Sequence, residues 1–314
     1  MRLVVAVGGN SLLERGQAPL VETQEMHVRI AVNALAQLVA DHEVVLTHGN
    51  GPQVGMLAKE SALDPDLPGP YPLDVLGAES QGMIGYFFLQ AFTNALPSHQ
   101  VVNLICQTEV AAGDPAFNHP TKFVGQIYPE AQAHALAAER EWQVRADGAS
   151  WRRVVASPEP LAVLELATIR KLLADGALVI CAGGGGIPVV RDNDGRLRGV
   201  EAVIDKDLTA ALLAKELEAD ALLILTDVSN VQTGFGTNAA HPIGRTTPSA
   251  LRKLHFPAGS MGPKVEAACR FVEATGKPAM IGRIDEAVDL LQRKCGTIVE
   301  PDSAGTRSEP IVVG

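Results

Sequence analysis

The chain has 314 residues, of which 46% are hydrophobic and 20% are charged, a composition typical of a soluble globular protein with a substantial core. Its net charge of −10 disfavours a nucleic acid or an anionic membrane as a partner, so an anionic substrate would need locally placed positive side chains. The first apolar run is too short for a signal peptide, and no run approaches the roughly 20 residues of a transmembrane helix.

The four cysteines are far apart in apolar stretches and lack the C-x-x-C spacing of redox or zinc sites. We therefore expect reduced, mostly buried thiols and a cytoplasmic location. The eight histidines show no metal-site spacing, so the sequence predicts no dedicated metal site.

Apolar runs alternate with helical periodicity through the first hundred residues. Near-continuous apolar segments predict buried parallel strands at 3–7, 44–47 and 101–106. Apolar residues at helical spacing predict helices at 24–40 and 78–96, and a loop rich in Pro, Gly and Asp is expected at 63–74. This alternation is typical of a mainly parallel sheet covered by helices on both faces.

The alternation stops between residues 113 and 160, which we interpret as an excursion from the sheet that forms a small lid. The regular pattern then returns, with elements predicted at 164–173 (helix), 177–182 (strand), 189–200 (hairpin turning at Asn193-Asp194-Gly195), 221–226 (strand) and 278–299 (strand, helix, strand). Ligands of such sheets bind at the carboxyl ends of the strands.

Two lysines occupy unusual positions at helix starts. Asp205 is the expected N-cap of a helix that continues over 208–217, which places Lys206 in its first turn. Pro263 and Lys264 begin a second helix in the same way. A helix N-terminus already carries about half a positive charge, so a lysine there is unfavourable unless an anion is bound. The two lysines suggest a phosphate between them, although two ordinary surface lysines would also satisfy the pattern.

Three glycine-rich turns follow three buried strands, namely Gly8-Gly9-Asn10, Gly49-Asn50-Gly51 and Gly183 to Gly186. In a parallel sheet these turns lie on one edge, where glycine lets backbone N–H groups approach an anion closely. Asn10 and Asn50 add side-chain donors or acceptors. One such turn could simply reverse the chain, but three turns facing two lysines favour an anion site.

Common nucleotide and hydrolase fingerprints are absent. The sequence has no G-x-x-x-x-G-K-[ST] P-loop, no G-x-G-x-x-G after its first strand and no G-x-S-x-G elbow. His48 precedes a glycine turn without an obvious serine or cysteine nucleophile, which favours a structural role in the turn.

A series of short motifs runs through the chain in order: GGN at 8–10, HGNGPQVG at 48–55, QGMIGY at 81–86, DPAF at 114–117, PTK at 120–122, RRVV at 152–155, GGGGIP at 183–188, VIDKDL at 203–208 and PKVEA at 263–267. Each motif is weak alone, but together they are highly specific. From Arg2 to about Val299 the chain resembles the carbamate kinases of the amino acid kinase family.

The resemblance implies reversible phosphoryl transfer between ATP and carbamate, giving ADP and carbamoyl phosphate, with Mg²⁺ and a role in arginine metabolism. It implies an α/β fold with an open, mainly parallel sheet of about eight strands sandwiched between helices, a small protruding lid subdomain and a cytoplasmic homodimer. Within a single domain over 1–314, residues 1–200 would bind the acceptor, with the lid at about 113–160. Residues 201–299 would bind the nucleotide, and 300–314 would form a tail.

The same resemblance implies that Lys122, Lys206 and Lys264 surround the transferring phosphoryl group, with Asp207 orienting the lysines. The turns that would hold the acceptor and the γ-phosphate comprise Gly8, Gly9, Asn10, Ser11, Gly49, Asn50 and Gly51. The residues expected at the nucleotide site are Asp205, Thr226, Asp227, Val228 and Gly262. Carbamate is already an anionic oxygen nucleophile, so no general base is required, since phosphoryl transfer depends mainly on positioning and charge neutralisation.

Four residues depart from the pattern that the resemblance implies. Phe123 and Gln126 occupy positions after Lys122 where prolines are usual. Gln232 replaces an aromatic residue beside the expected adenine site, and Gly262 replaces a leucine before Pro263. Two alternatives therefore stay open. One is a kinase of the same fold acting on another small carboxylate, and the other is a non-catalytic protein that binds nucleotide or carbamoyl phosphate.

Overall fold

A computed structural model of the chain describes residues 1–9, 12–13, 17–67, 69–237, 239–257 and 259–302. The strands, in chain order, are β1 (Arg2–Val7), β2 (Glu43–His48), β3 (Val101–Asn103), β4 (Gln107–Val110), β5 (Lys122–Tyr128), β6 (Gln143–Asp147), β7 (Ser150–Val155), β8 (Pro160–Val163), β9 (Leu178–Ile180), β10 (Ile187–Arg191), β11 (Leu197–Gly199), β12 (Ala221–Thr226), β13 (Gln232–Thr233), β14 (His241–Pro242), β15 (Arg245–Thr246), β16 (Ala279–Arg283) and β17 (Thr297–Val299). The α-helices are α1 (Val21–Asp41), α2 (Gly51–Leu63), α3 (Leu73–Ala95), α4 (Glu130–Arg140), α5 (Leu166–Ala174), α6 (Lys206–Glu216), α7 (Pro248–Leu251), α8 (Met261–Thr275) and α9 (Ala287–Leu291).

The main sheet has eight strands in the order β15-β17-β16-β12-β1-β2-β9-β3. Its pairings are parallel except for the antiparallel pair β16–β17. Strands buried on both faces have near-continuous apolar sequences, and all five residues of β1 from Leu3 to Val7 are 0–1% exposed. The predicted open, mainly parallel sheet of about eight strands is confirmed.

Alternate side chains of each central strand belong to cores on opposite faces of the sheet. Val4 and Ala6 of β1 pack in a cluster that includes residues of α6 and α8, whereas Leu3, Val5 and Val7 pack with residues of α1 and α3. This follows from the two-residue period of a strand. The two helical layers hold β1, β2, β9 and β12 in place, so the carboxyl ends of these strands form one fixed edge. This edge is called the catalytic edge below, after the activity that the sequence resemblance implies.

The excursion that the sequence predicted at 113–160 contains a separate three-stranded antiparallel sheet, in the order β5-β7-β6, together with α4. These four elements are called the lid below. The predicted hairpin turning at Asn193-Asp194-Gly195 is confirmed, because β10 and β11 pair antiparallel. They belong to a further four-stranded sheet, in the order β11-β10-β4-β8.

The helix predicted at 78–96 begins earlier than expected, at Leu73, and shortens the predicted loop at 63–74. The Leu73 N–H donates to the Glu201 carboxylate at 2.8 Å. A helix start leaves backbone N–H groups without intrahelical partners, and here a residue 128 positions away satisfies one of them. The predicted helix start was therefore wrong because a long-range contact extends the helix.

The strand predicted at 101–106 ends at Asn103. Beyond it, the Cys106 N–H donates to the Gln81 side-chain oxygen at 2.9 Å, and the Gln81 amide donates to the Cys106 carbonyl at 3.1 Å. A buried side chain thus takes over the hydrogen bonds of a sheet partner while the chain leaves the main sheet for β4. Among the residues described, no helix is long and apolar enough to cross a membrane.

Candidate active site

The catalytic edge contains the start of α6, where Asp205 is the N-cap. Its Oδ1 accepts from the backbone N–H groups of Asp207 at 2.9 Å and Leu208 at 3.4 Å. The expected cap is confirmed, and Lys206 is the first residue of the helix. Lys264 is the fourth residue of α8, one position after Pro263. Proline is tolerated there because the first turn of a helix has no intrahelical bonds for its N–H groups.

Lys206 and Lys264 both contact the carboxylate of Asp207. Lys264 Nζ lies 3.1 Å from Asp207 Oδ2, and Lys206 Nζ pairs with Asp207 Oδ1. The side chain of Lys264 is only 15% exposed, that of Lys206 11% and that of Asp207 4%. These three residues, here called the lysine–aspartate cluster, are therefore not ordinary surface charges. Two cations share one buried anion.

The lysine–aspartate cluster has two positive side chains and only one negative side chain. Burial alone would raise the pKa of Asp207, but Lys206 and Lys264 hold that pKa well below its ordinary value. Burial lowers the pKa of Lys206, and Lys264 lowers it further, against the opposing effect of Asp207. Burial would also lower the pKa of Lys264, but Asp207 outweighs it and raises that pKa. A bound anion would relieve the repulsion between the ammonium groups.

Lys122, at the start of β5, brings a third cation from the lid. Its Nζ lies 2.6 Å from Oδ2 of Asp205, a residue 83 positions away in sequence. Asp205 therefore caps α6 with one oxygen and holds the lid lysine with the other. The Lys122 side chain remains 36% exposed, so it can leave this partner for an incoming ligand.

The first two glycine turns meet directly at the catalytic edge. A Cβ on Gly49 would lie 2.6 Å from Gly9 N, so glycine is required for the two turns to touch. The N–H groups of Gly8 and Gly49 donate to Leu225 O and Val7 O within the sheet, both at 2.9 Å. These two N–H groups are thus already used. Gly51 is the first residue of α2, where helix geometry leaves the N–H free for a ligand. Asn10 and Ser11 lie outside the described residues.

The third turn packs its glycines against polar side chains of the second. A Cβ on Gly183 would lie 2.3 Å from the His48 ring, and one on Gly184 would lie 2.0 Å from Asn50 Nδ2. Gly184 also has a φ of +66°, which favours glycine. Asn50 is 7% exposed and donates to Ser80 Oγ at 2.9 Å. The turn is therefore built so that two side chains of the catalytic edge can lie beneath it.

His48 is buried at the end of β2 and is held on three sides. Its Nδ1–H donates to Gly49 O with an Nδ1-to-oxygen distance of 3.1 Å, its ring stacks on Phe88 with centroids 5.9 Å apart, and Gly183 covers it. Burial lowers the pKa of His48 to about 4. A neutral, fully packed imidazole fits the structural role that the sequence favoured.

The expected nucleotide residues follow β12 and begin α8. Thr226, at the end of β12, is 7% exposed and donates to the Asp227 carboxylate at 3.0 Å. Asp227 is exposed and Val228 is half-buried, and the negative charge of Asp227 also raises the pKa of Lys264. The Gly262 N–H donates to Pro257 O at 2.9 Å, and a Cβ there would come within 3.0 Å of that oxygen. Asp227 through its charge and Gly262 through its place in α8 are thus the two of these residues that the structure links to Lys264.

Two threonines that the sequence analysis did not select fix the third glycine turn. The hydroxyls of Thr108 and Thr209 both donate to the Gly185 carbonyl at 2.9 Å. Thr209 lies four residues after Asp205 and also donates to the Asp205 carbonyl at 3.3 Å. It thereby ties the start of α6 to the glycine turn. Helical spacing could have placed Thr209 near Asp205, but the contact with Gly185 could not be predicted from the sequence.

A sequence model of the amino acid kinase family matches residues 1–283. The chain belongs to the amino acid kinase family.

Individual relatives within the amino acid kinase family are similar over nearly the whole chain. Carbamate kinase of Rhizobium meliloti is 50% identical over 303 residues, which cover 95% of this chain and 93% of the relative. Carbamate kinase of Haemophilus influenzae is 47% identical over 306 residues, covering 97% and 98%. The solved structure of carbamate kinase from Giardia lamblia bound to AMP-PNP superposes with a TM-score of 0.86 at 41% identity, covering 96% of this chain and 98% of that one.

Proposed function

We propose that this member of the amino acid kinase family is a carbamate kinase, which transfers a phosphoryl group reversibly between ATP and carbamate. The observation that carries the proposal is the convergence of Lys206, Lys264 and Lys122 on two aspartates at the catalytic edge. The similarity to carbamate kinases over nearly the full chain supports the same conclusion.

The reaction needs charge neutralisation more than acid–base chemistry. In the direction of carbamoyl phosphate synthesis, a carbamate oxygen attacks the γ-phosphorus, the bond to the β,γ-bridging oxygen breaks, and ADP leaves with the electron pair. Negative charge spreads over the transferring phosphoryl oxygens. Two buried ammonium groups held by Asp207 supply fixed positive charge at little reorganisation cost. His48, neutral and enclosed, is not required as a base.

The lid lysine supplies a positive charge that can move. In the structure Lys122 is paired with Asp205. When the anionic substrates bind, we propose that Lys122 exchanges this carboxylate for an oxygen of the transferring phosphoryl group. Asp205 remains in place as the N-cap of α6, so the helix start keeps its position during the exchange.

The two parts of the chain would divide the substrates between them. Residues 1–200 would bind carbamate through the turns at 8–11 and 49–51, including the Gly51 N–H and the Asn50 side chain. Residues 201–299 would bind the nucleotide beside Thr226, Asp227, Val228 and Gly262. The α2 N-terminus adds its partial positive charge on the acceptor side.

Mg²⁺ would enter as part of the metal–nucleotide substrate. Among the described residues, no group of three or more His, Cys, Asp or Glu side chains could hold a metal ion. Mg²⁺ commonly binds through one or two carboxylates and substrate phosphates, and the exposed Asp227 fits that limited role. Bound there, Mg²⁺ would neutralise phosphate oxygens.

The cellular setting of the proposal follows the same resemblance, namely a cytoplasmic homodimer that serves arginine metabolism. Its four cysteines are free, and Cys106, Cys181 and Cys269 are buried, which suits a reducing compartment. The α3 helix leaves Val75 and Tyr86 exposed, and apolar side chains of this kind fit a subunit interface. Light scattering at several protein concentrations would test the dimer.

An acceptor screen tests the proposed substrate against the main alternative, another small carboxylate. Phe123 and Gln126, which follow Lys122 on β5, motivate this alternative. Purified protein with Mg·ATP should form ADP rapidly with ammonium bicarbonate, which contains carbamate, and slowly with acetate, glutamate or N-acetylglutamate. A faster rate with one of the other carboxylates would reject carbamate while keeping the kinase assignment.

A further inference from the structure

A cavity of about 210 Å³ lies between α2 and the lid. The lysine–aspartate cluster, Lys122 and Asp205 do not contribute to its lining. Its floor is apolar and includes Val54, Leu73 and Val124, which are at most 8% exposed. Leu136 of α4 and the Trp142 ring form its lid side. The cavity is therefore distinct from the proposed catalytic site.

The charged side chains that line this cavity are all positive. Lys59, Arg140 and Arg153 line it, and no Asp or Glu does so among the described residues. Arg140 and Arg153 lie over the Trp142 ring at 5.1 and 4.7 Å. Arg153 also pairs with Glu201 at 2.7 Å, and Arg140 lies 3.6 Å from Glu139. In a chain with a net charge of −10, a positive rim above an apolar floor selects for an anion with an apolar body.

We propose that this cavity is a binding site for a small amphipathic monocarboxylate, with an aromatic or branched aliphatic body. The body would displace water from the apolar floor, while the carboxylate would face Lys59 and Arg140 at the rim. The volume is below the roughly 300–1,000 Å³ of sites for drug-sized ligands. A ligand of about ten non-hydrogen atoms is the size that fits, and for such a ligand millimolar affinity is reasonable.

A ligand in this cavity would contact both α2 and β5 of the lid. A Cβ on Gly55 of α2 would lie 3.0 Å from Gly125 Cα of β5, and both glycines line the cavity. α2 begins at Gly51 and β5 begins at Lys122. An occupant would thus contact both elements that lead to the catalytic edge, and would stabilise the lid in one position relative to α2.

Phenylacetate is a suitable probe, because its ring and single carboxylate match the proposed chemistry. The chain has two tryptophans, so the Trp151→Phe variant leaves Trp142 as the only tryptophan reporter. We expect saturable changes in Trp142 fluorescence with phenylacetate. Phenylacetamide, which lacks the charge, should bind about two- to fivefold more weakly, the scale of one exposed ion pair. Equal binding of both compounds, or no saturable binding of phenylacetate, would overturn the proposal.

Matched variants locate the ligand by ligand-observed NMR. Ala62→Phe should fill the cavity and abolish binding, whereas Ala135→Phe, at an exposed position on α4 outside the lining, should not. Lys59→Gln and Arg140→Gln each remove one positive charge from the lining and should weaken phenylacetate binding but not phenylacetamide binding. Arg145→Gln, on exposed β6, is their control. Unchanged binding in Ala62→Phe and in both charge variants would place phenylacetate elsewhere and refute the site. Because binding is read without turnover, its failure is separate from any failure of the kinase assignment.

Discussion

Lys206 is the residue whose position best separates a catalytic charge from an ordinary one. Its buried ammonium group shares Asp207 with Lys264 at the start of α6. Such a fixed charge is worth more at a desolvated site than in water. The sequence suggested an anion site from the helix-start lysines alone, but it could not show that both lysines share Asp207. That contact joins two helices 57 residues apart.

Replacing Lys206 should therefore affect turnover rather than folding. We expect Lys206→Ala to lower kcat by about 10²–10³, the usual scale for removing one charge-stabilising donor. Lys215→Ala is the matched control, because Lys215 lies at the exposed end of the same helix. Steady-state kinetics of both variants measure the effect. A near-normal kcat for Lys206→Ala would remove this lysine from the mechanism.

Lys122 should behave as a transition-state residue that approaches from the lid. We expect Lys122→Ala to lower kcat more than it raises KM, because the lysine is paired with Asp205 before substrates bind. Arg145→Ala changes another exposed cation of the lid and should leave both constants unchanged. If Lys122→Ala instead raises KM with kcat intact, this lysine only helps to bind substrate.

His48 makes the stability of the fold depend on pH. Burial lowers its pKa from 6.5 to about 4, so between these values the unfolded chain binds a proton that the folded chain does not. The free energy of unfolding should therefore rise with pH across this range, by up to about 3 kcal/mol. Urea denaturation at several pH values gives the free energy of unfolding as a function of pH. This free energy should rise less steeply with pH in His48→Gln than in the control His255→Gln, which changes an exposed histidine. An equal pH dependence of the unfolding free energy in both variants would mean that the pKa of His48 is not lowered.

At the scale of elements, the glycine turns were found correctly but their hydrogen bonds were not predicted. Apolar runs followed by glycines located all three turns on one edge. Which N–H groups point to a ligand depends on sheet register, and register assigns those of Gly8 and Gly49 to neighbouring strands. The close packing of Gly183 and Gly184 on His48 and Asn50 also arises only when β2 and β9 pair.

The third glycine turn should tolerate no side chain. Gly184→Ala would place a methyl group 2.0 Å from Asn50 Nδ2 at a φ of +66°. We expect a loss of about 1–3 kcal/mol in the free energy of unfolding, the cost of overpacking with backbone strain. Gly69→Ala is the control, because nothing lies within 4 Å of its Cβ and no positive φ applies. Thermal and urea denaturation compare the two, and equal stability of the variants would contradict the packing described.

For the whole molecule, the sequence predicted the parallel sheet because its central strands are apolar on both faces. It predicted the lid because the regular alternation disappears between residues 113 and 160. It could not predict the early start of α3 at Leu73, since the Glu201 carboxylate that accepts from the Leu73 N–H is 128 residues away in sequence. The pairing of Lys122 with Asp205 is also a contact between residues far apart in sequence, here 83 positions. Local patterns specify elements, whereas the charges of the site are assembled by contacts between distant residues.

The initial rate of ATP formation from ADP, Mg²⁺ and carbamoyl phosphate tests the central claim most directly. Carbamoyl phosphate is easier to supply than carbamate, and the reverse direction uses the same site. The account predicts rapid ATP formation by the purified protein and by Lys215→Ala, and a loss of about 10²–10³ in Lys206→Ala. Absence of ATP formation by folded protein that still binds ADP would contradict the assignment to carbamate.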